Sequence, residues 1–380
     1  MSREKQLLAG EVTHFFLNTP NEEGVCLSIH FGTGYGNRLI SIDNNMRWIG
    51  SGSSNILINS LKNKIKNLYP SIECHVDVTM DTATLTLKMT VLEFKENVES
   101  LLSLLLSKEM TAEEFEEQKT LSYERFTTHL QNVTFRSLMD IQQYAIPNRT
   151  YSTDLIKQDL LDVSYEDITL LSNTLFKPKN TVLVICGNDK HELSQAINAK
   201  SLTFEQEDAT SAYHVYKQNV YEDEIITKTH TNKQGAVGTL CFRNEPGVWS
   251  LEEEDMYLLI ISDLLVEKDA SVHVAKDYAS IIYSGYESVD MKKKLLECVH
   301  CNESQFTKAV ENVQLKLRYL VEKSPEVFGR LFGQHAIQGK NLSQLLNPPK
   351  KVNFTNFINY INQMAPQVRE TKIVYLEGVK

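Results

Sequence analysis

Glu117 and Glu124 stand seven residues apart in the stretch Ala112-Glu-Glu-Phe115-Glu-Glu-Gln-Lys-Thr-Leu-Ser-Tyr-Glu-Arg-Phe126. Seven residues are two helical turns, so a helix here puts both carboxylates on one face. The same pair also suits a solvated acidic surface helix. Cys298-Val299-His300-Cys301 brings two thiols and an imidazole together, the residue types of half a zinc site or a redox motif. No second Cys/His pair stands at finger spacing, and the run falls at the end of a predicted helix. Ten histidines, among them His14, His30, His75, His129, His230 and His335, show no His-x3-His or His-x-His spacing, so no local metal site is written among them. Gly32-Thr-Gly-Tyr-Gly36 follows a predicted strand but lacks the Lys-Ser/Thr of a phosphate loop. Phe328-Gly329-Arg330-Leu331-Phe332-Gly333 reads as helix packing, with Arg330 solvated or capping.

The elements that must position these residues are written twice. Phe115 and Phe306, Gln143-Tyr-Ala-Ile146 and Gln334-His-Ala-Ile337, and Gly187 and Gly378 share one offset of 191 residues. A duplicated domain follows. Gly24 to Gly34 and Gly235 to Phe242 alternate as strands, each before a helical segment, Asn55 to Lys66 and Glu254 to Val266. Thr82 to Val91 and Tyr278 to Tyr286 alternate again, and each leads into an apolar helix, Val98 to Leu106 and Met291 to Val299. Thr181 to Gly187 and Thr371 to Gly378 close the halves with buried-type strands. Each half is thus an α+β domain of about 190 residues, an ordinary size for one core. Residues 1–205 and 220–380 form the two expected domains, with a polar, acidic linker near residues 200–222.

Composition narrows the class. With 42% apolar and 23% charged residues, the 380-residue chain can bury two cores and carries no sizeable disordered tract. Its net charge of −10 argues against nonspecific binding to nucleic acid or anionic membranes and favours basic partners or peptides. The N-terminal stretch lacks an apolar core and cleavage site, and the apolar runs are too short to span a bilayer, so a cytoplasmic location is expected. Cys26, Cys74, Cys186 and Cys241 sit singly in apolar stretches, where a reduced thiol acts as a small hydrophobe.

Two similar halves in this order resemble the M16 (pitrilysin, mitochondrial processing peptidase) family. Asp162-Val-Ser-Tyr-Glu-Asp-Ile168, Phe176-Lys-Pro-Lys-Asn180 and Leu183-Val-Ile-Cys-Gly187 are similar to that family's run before its closing strand. Gly52-Ser-Ser-Asn55-Ile-Leu-Ile58-Asn59 occupies the place of the helix that bears the inverted zinc motif His-x-x-Glu-His. The resemblance implies the LuxS/MPP-like metallohydrolase fold, with each half a mostly antiparallel sheet packed by helices.

In the inverted motif two histidines one turn apart hold zinc, and the glutamate activates the bound water. Asn55, Ile58 and Asn59 stand at those positions here. Asparagine amides are poor zinc ligands and isoleucine accepts no proton, so metal binding and water activation are lost together. Glu117 and Glu124 match the family's Glu-x6-Glu arrangement, which makes Glu124 a relic of the third ligand. In the second half, Lys276 and Tyr283 match an arginine and a tyrosine that contact substrate in the family. Lysine keeps the charge but loses the bidentate fork. Tyr283 is equally readable as a plain strand residue.

The resemblance therefore implies a catalytically silent subunit, with no cofactor in this chain, that pairs with a zinc-binding M16 homologue and holds a peptide. Bacteriocin maturation of the subtilosin type is the setting it suggests. Two rivals stand beside it: a non-enzymatic peptide-binding or scaffold homodimer, and an enzyme with a metal site rebuilt from distant residues.

Overall fold

The computed structural model describes residues 3–8, 12–19, 24–35, 39–42, 45–79, 81–106, 110–145, 153–175, 180–198, 201–206, 211–213, 223–230, 235–243, 248–265, 270–274, 278–284, 290–340, 343–348 and 350–377. The chain opens with β1 (Arg3–Leu8), β2 (Thr13–Asn18), β3 (Val25–Phe31), β4 (Leu39–Ile42), β5 (Asn45–Trp48), α1 (Ser53–Leu68), β6 (Glu73–Val78) and β7 (Ala83–Met89). Next come α2 (Val91–Leu106), α3 (Ala112–His129), α4 (Val133–Ala145), α5 (Thr153–Asp162), α6 (Tyr165–Leu175), β8 (Thr181–Gly187), α7 (Lys190–Asn198), β9 (Ser201–Gln206) and β10 (Ser211–Tyr213). The second half runs β11 (Glu224–His230), β12 (Gly235–Arg243), α8 (Leu251–Leu265), β13 (Ala270–Val274), β14 (Tyr278–Ser284), α9 (Met291–Glu297), α10 (Glu303–Lys323) and α11 (Pro325–Ile337). It ends with α12 (Ser343–Leu346), α13 (Phe354–Met364) and β15 (Arg369–Glu377).

Two compact units result. One comprises Met1–Phe126, Ile156–Val215 and Tyr319–Gly339, and the other Thr127–Leu155, Tyr216–Arg318 and Lys340–Lys380. The sheets repeat one topology. In the first unit the order is β2-β8-β3-β7-β6, and in the second β11-β15-β12-β14-β13. In each, the opening strand lies parallel to the closing one and the other pairings are antiparallel. Two smaller sheets, β1-β9 and β10-β4-β5, accompany them. The stretch expected as a linker thus contributes two strands, β9 against β1 and β10 against β4.

In the first unit β3 and β8 are buried along their whole length, so both sheet faces are covered. α11 supplies one cover. It approaches through two glycines, since a Cβ at Gly333 would fall 2.0 Å from the His30 ring and one at Gly329 2.9 Å from Cys186 Sγ. His30, completely buried, keeps Nδ1 3.1 Å from the Thr84 hydroxyl. Burial, aided by Arg330, pushes its pKa down to about 3, so the ring is neutral.

In the second unit α4 does the same work on β12, β14 and β15. Its Ile141 joins Val237, Ile282, Ile373 and Tyr375 in one apolar cluster. Beside them the buried Asp140 accepts from Thr153 Oγ1 (3.1 Å) and Tyr375 Oη (3.2 Å) and pairs with Lys228 Nζ (2.9 Å). Among the described residues no helix is long and apolar enough to cross a membrane.

Candidate functional site

α1 is set in place by its first residues. A Cβ on Gly52 would fall 2.1 Å from Leu160 Cδ2, so α5 can approach only a glycine here. Ser51 donates to the Asp159 carboxylate from its backbone N–H (3.1 Å) and its hydroxyl (2.7 Å). Ser54 Oγ donates to the Gly34 carbonyl, three residues beyond β3 (3.2 Å). These contacts fix the rotation of the helix, and with it the residues at the expected metal positions.

Ile58 is 1% exposed and belongs to the core. Asn55 is half-buried and Asn59 buried. Both ends of the Asn59 amide are occupied: Nδ2 donates to the Asn55 carbonyl (2.8 Å) and Oδ1 accepts from Arg125 Nη1 (3.0 Å). Four residues farther along, Asn63 Nδ2 donates to Gln118 Oε1 at 3.1 Å.

Gln118 and Arg125 of α3 thus hydrogen-bond to α1 and Glu114 pairs with its Lys64, whereas both Glu117 and Glu124 are exposed. Phe115, Gln118 and Ser122 form the buried stripe of α3 and turn the glutamates outward. Gln118 and Arg125 keep the seven-residue spacing one position later than the glutamates do.

Zinc does not fit this face. The residues present are two amides, an isoleucine in the core and a guanidinium hydrogen-bonded to one of the amides, and a fixed positive charge repels a divalent cation. Among the described residues no group of three or more His, Cys, Asp or Glu side chains is arranged to hold a metal.

The second-half residues divide. Lys276 lies outside the described residues, as do Gly36 and Gly378. Tyr283 is 1% exposed, its ring lying against Gly238, where a Cβ would come within 2.3 Å of it. Its hydroxyl donates to Glu370, which also accepts from the Lys292 N–H (3.0 Å) and faces Lys372 Nζ at 3.4 Å. Burial first, and the hydrogen bond to Glu370 second, raise the phenol's pKa far above its usual range. In this structure Tyr283 is a core side chain, and the expected substrate contact has no open hydroxyl.

The Cys-Val-His-Cys run is likewise structural. Cys298 is buried, with Sγ 3.6 Å from the Lys294 carbonyl, and burial pushes its thiol up to about 12. Cys301 is raised as well, so neither supplies a thiolate at neutral pH. All six cysteines are free.

No family model matches the chain. No curated protein sequence matches it either. Solved structures do. An M16-like protein from Alicyclobacillus acidocaldarius superposes with a TM-score of 0.77 at 11% identity, over 99% of each chain. A protease from Helicobacter pylori gives 0.73 at 12% identity, over 98% of this chain and 100% of that one. The fold is that of the M16-like peptidases. A peptidase M16 inactive domain from Pseudomonas fluorescens shares it, with a TM-score of 0.62 at 10% identity over 100% of this chain and 99% of that one. The duplicated α+β architecture expected of the M16-like fold is thereby confirmed, with two sheets packed by helices.

Proposed function

We propose that this chain is a catalytically silent M16-type subunit that holds an extended peptide beside a zinc-bearing homologue. One observation carries the reading. Where an active member needs two imidazoles and a carboxylate, Asn59 is hydrogen-bonded to Arg125 and Ile58 is packed in the core. The peptidase frame is kept and its metal chemistry removed. Among the described residues β6 ends its sheet, so its outer edge offers backbone groups to an added strand, a binding mode that gives affinity without demanding sequence.

The zinc, the water activation and the cleavage belong in this proposal to the partner. Maturation of a bacteriocin precursor in the cytoplasm is one setting that suits such a pair. Lys276 stays in the proposal as a contact from the second half, and Tyr283 leaves it because it is buried.

The test is cleavage of a peptide by this chain alone, by a zinc-bearing M16 homologue alone and by the mixture, with metal content and complex mass measured on the same samples. Cleavage by the mixture only, from a complex holding one zinc per pair, is the expected result. Stoichiometric zinc and cleavage by this chain alone would overturn it. A peptide-binding complex of this chain with itself, inert toward the homologue, would favour a homodimeric scaffold.

A further inference from the structure

Asn55, Asn59, Lys62 and Lys66 recur every three or four residues along α1 and so share one face. Arg125 reaches that face from α3 through its bond to Asn59. The lower half of the stripe is cationic. Lys62 is held below the usual lysine range, by burial first and then by the like charge of Lys66, with Arg125 adding to the effect. Lys62 and Lys66 both act in turn on the thiol of Cys74, which places them beside the edge strand β6.

These charges are left over. Lys64, on the same helix, pairs with Glu114 at 3.4 Å. No carboxylate among the described residues pairs with Lys62, Lys66 or Arg125. Arg125 makes one side-chain hydrogen bond, which leaves the rest of its planar fork of N–H donors without a protein partner among those residues. In a chain of net charge −10, three cations with no carboxylate partner among the described residues, Lys62 half-buried and Lys66 and Arg125 exposed, gather on one face, which solubility does not explain.

The occupant is set by chemistry and by place. A guanidinium with spare donors binds a carboxylate bidentately. At the Lys66 end an open groove of about 560 Å³ runs beside β6, lined by Lys66 and residues 70–75, with Glu73 and His75 turned outward and Cys74 turned in. A strand added to β6 would send alternate side chains to the Cys74 side, toward the cations. A long polyanion would meet the acidic remainder of the protein, whereas a single carboxylate on a peptide would not.

We propose that the face corresponding to the metal site is here a carboxylate subsite, formed by Arg125, Lys62 and Lys66, for an acidic side chain or the C-terminal carboxylate of a peptide laid along β6. A protein cation has replaced the metal cation, and its task is to select. The inference rests on the peptide-holding role proposed above and adds the chemical class of what is held.

The test uses three versions of one fluorescein-labelled, Val/Thr-rich decapeptide: one with a central Glu and a free C-terminus, one with that Glu changed to Gln, and one with an amidated C-terminus. Binding to the full chain is read by fluorescence anisotropy. Losing the recognised carboxylate should weaken binding about tenfold, and which version loses it identifies the source. Arg125→Met and Lys62→Met should remove that preference, bringing the affinity for every version to that of the one lacking the recognised carboxylate. Lys66→Met, at an exposed position, provides the same readout if Arg125→Met lowers the melting temperature. Equal binding of all three versions would overturn the carboxylate subsite and leave the peptide-holding role standing. Binding of none would overturn both. A preference that survives all three substitutions would place the subsite elsewhere and so overturn the assignment.

Discussion

α1 and α8 hold the same place in two copies of one topology, between the sheet's central strand and its edge hairpin, and they use charge in opposite ways. α8 turns its charges inward. Glu253 caps its own helix, accepting from the Ser250 N–H (2.8 Å) while its N–H donates to Ser250 Oγ (3.2 Å). Asp255 pairs with the buried Lys340 at 3.1 Å. Glu254, buried beside Asp255, has its pKa pushed up to about 8, chiefly by desolvation. α1 instead leaves Lys62 and Lys66 beside Arg125 with no counter-charge among the described residues. Charge paired or neutralised inside a fold is unavailable for recognition, and charge left unpaired at the surface is available for it.

The largest test of that contrast is Lys340→Met, which strands Asp255 in a site 3% exposed. Loss of about 3–5 kcal/mol in urea unfolding is expected. A loss below about 1 kcal/mol would mean that α8 is no more dependent on its charges than α1.

Glu254 gives a second test through pH. Its folded pKa, about 8, stands above the ordinary value of 4.5, so the stability it contributes is full below pH 4.5 and is lost as pH rises through 8. Glu254→Gln should therefore gain about 2–3 kcal/mol at pH 8, after allowance for the opposing charge of Lys340, and change little at pH 4.5. His30 in the other unit runs the opposite way. Its pKa is depressed from 6.5 to about 3, so protons bind the unfolded chain first and stability falls as pH drops below 6.5. Between pH 7 and 5 the two effects oppose each other, so His30 is read in the Glu254→Gln chain, where about 2 kcal/mol should be gone at pH 5 and a flat urea profile would remove His30 as the cause. The smallest effect is expected on α1. Lys62→Gln should alter stability by less than about 0.5 kcal/mol, slightly upward, because it relieves repulsion from Lys66 and Arg125.

What could be read from the letters follows the same division. β3, β7, β8, β12 and β14 were legible because central strands, buried on both faces, write continuous or alternating apolar runs. The edge strand β6, Glu-Cys-His-Val-Asp-Val, alternates as well, but over only six residues with charged or polar side chains at every second position, and β9 and β10 sit in a stretch whose acidity reads as linker. The loss of the metal motif was legible residue by residue at Asn55, Ile58 and Asn59. What replaced it was not. Glu117/Glu124 and Gln118/Arg125 have identical spacing, and only the burial of Phe115, Gln118 and Ser122 fixes which pair faces α1. The burial of Tyr283 has one faint trace, the glycine at position 238 in a strand, since a missing side chain is where a ring can lie.

The exchange of segments between the two units also sets a timetable. The sheet that opens the chain is covered by α11, so its core is incomplete until residues as late as Ile337 have been synthesised. Ser28, His30 and Val184 stay without their cover until then, through most of the time the chain spends on the ribosome. The first sheet must be made early and finished late. A duplication that looks from its sequence like two domains in tandem is, for synthesis and for folding, a single commitment.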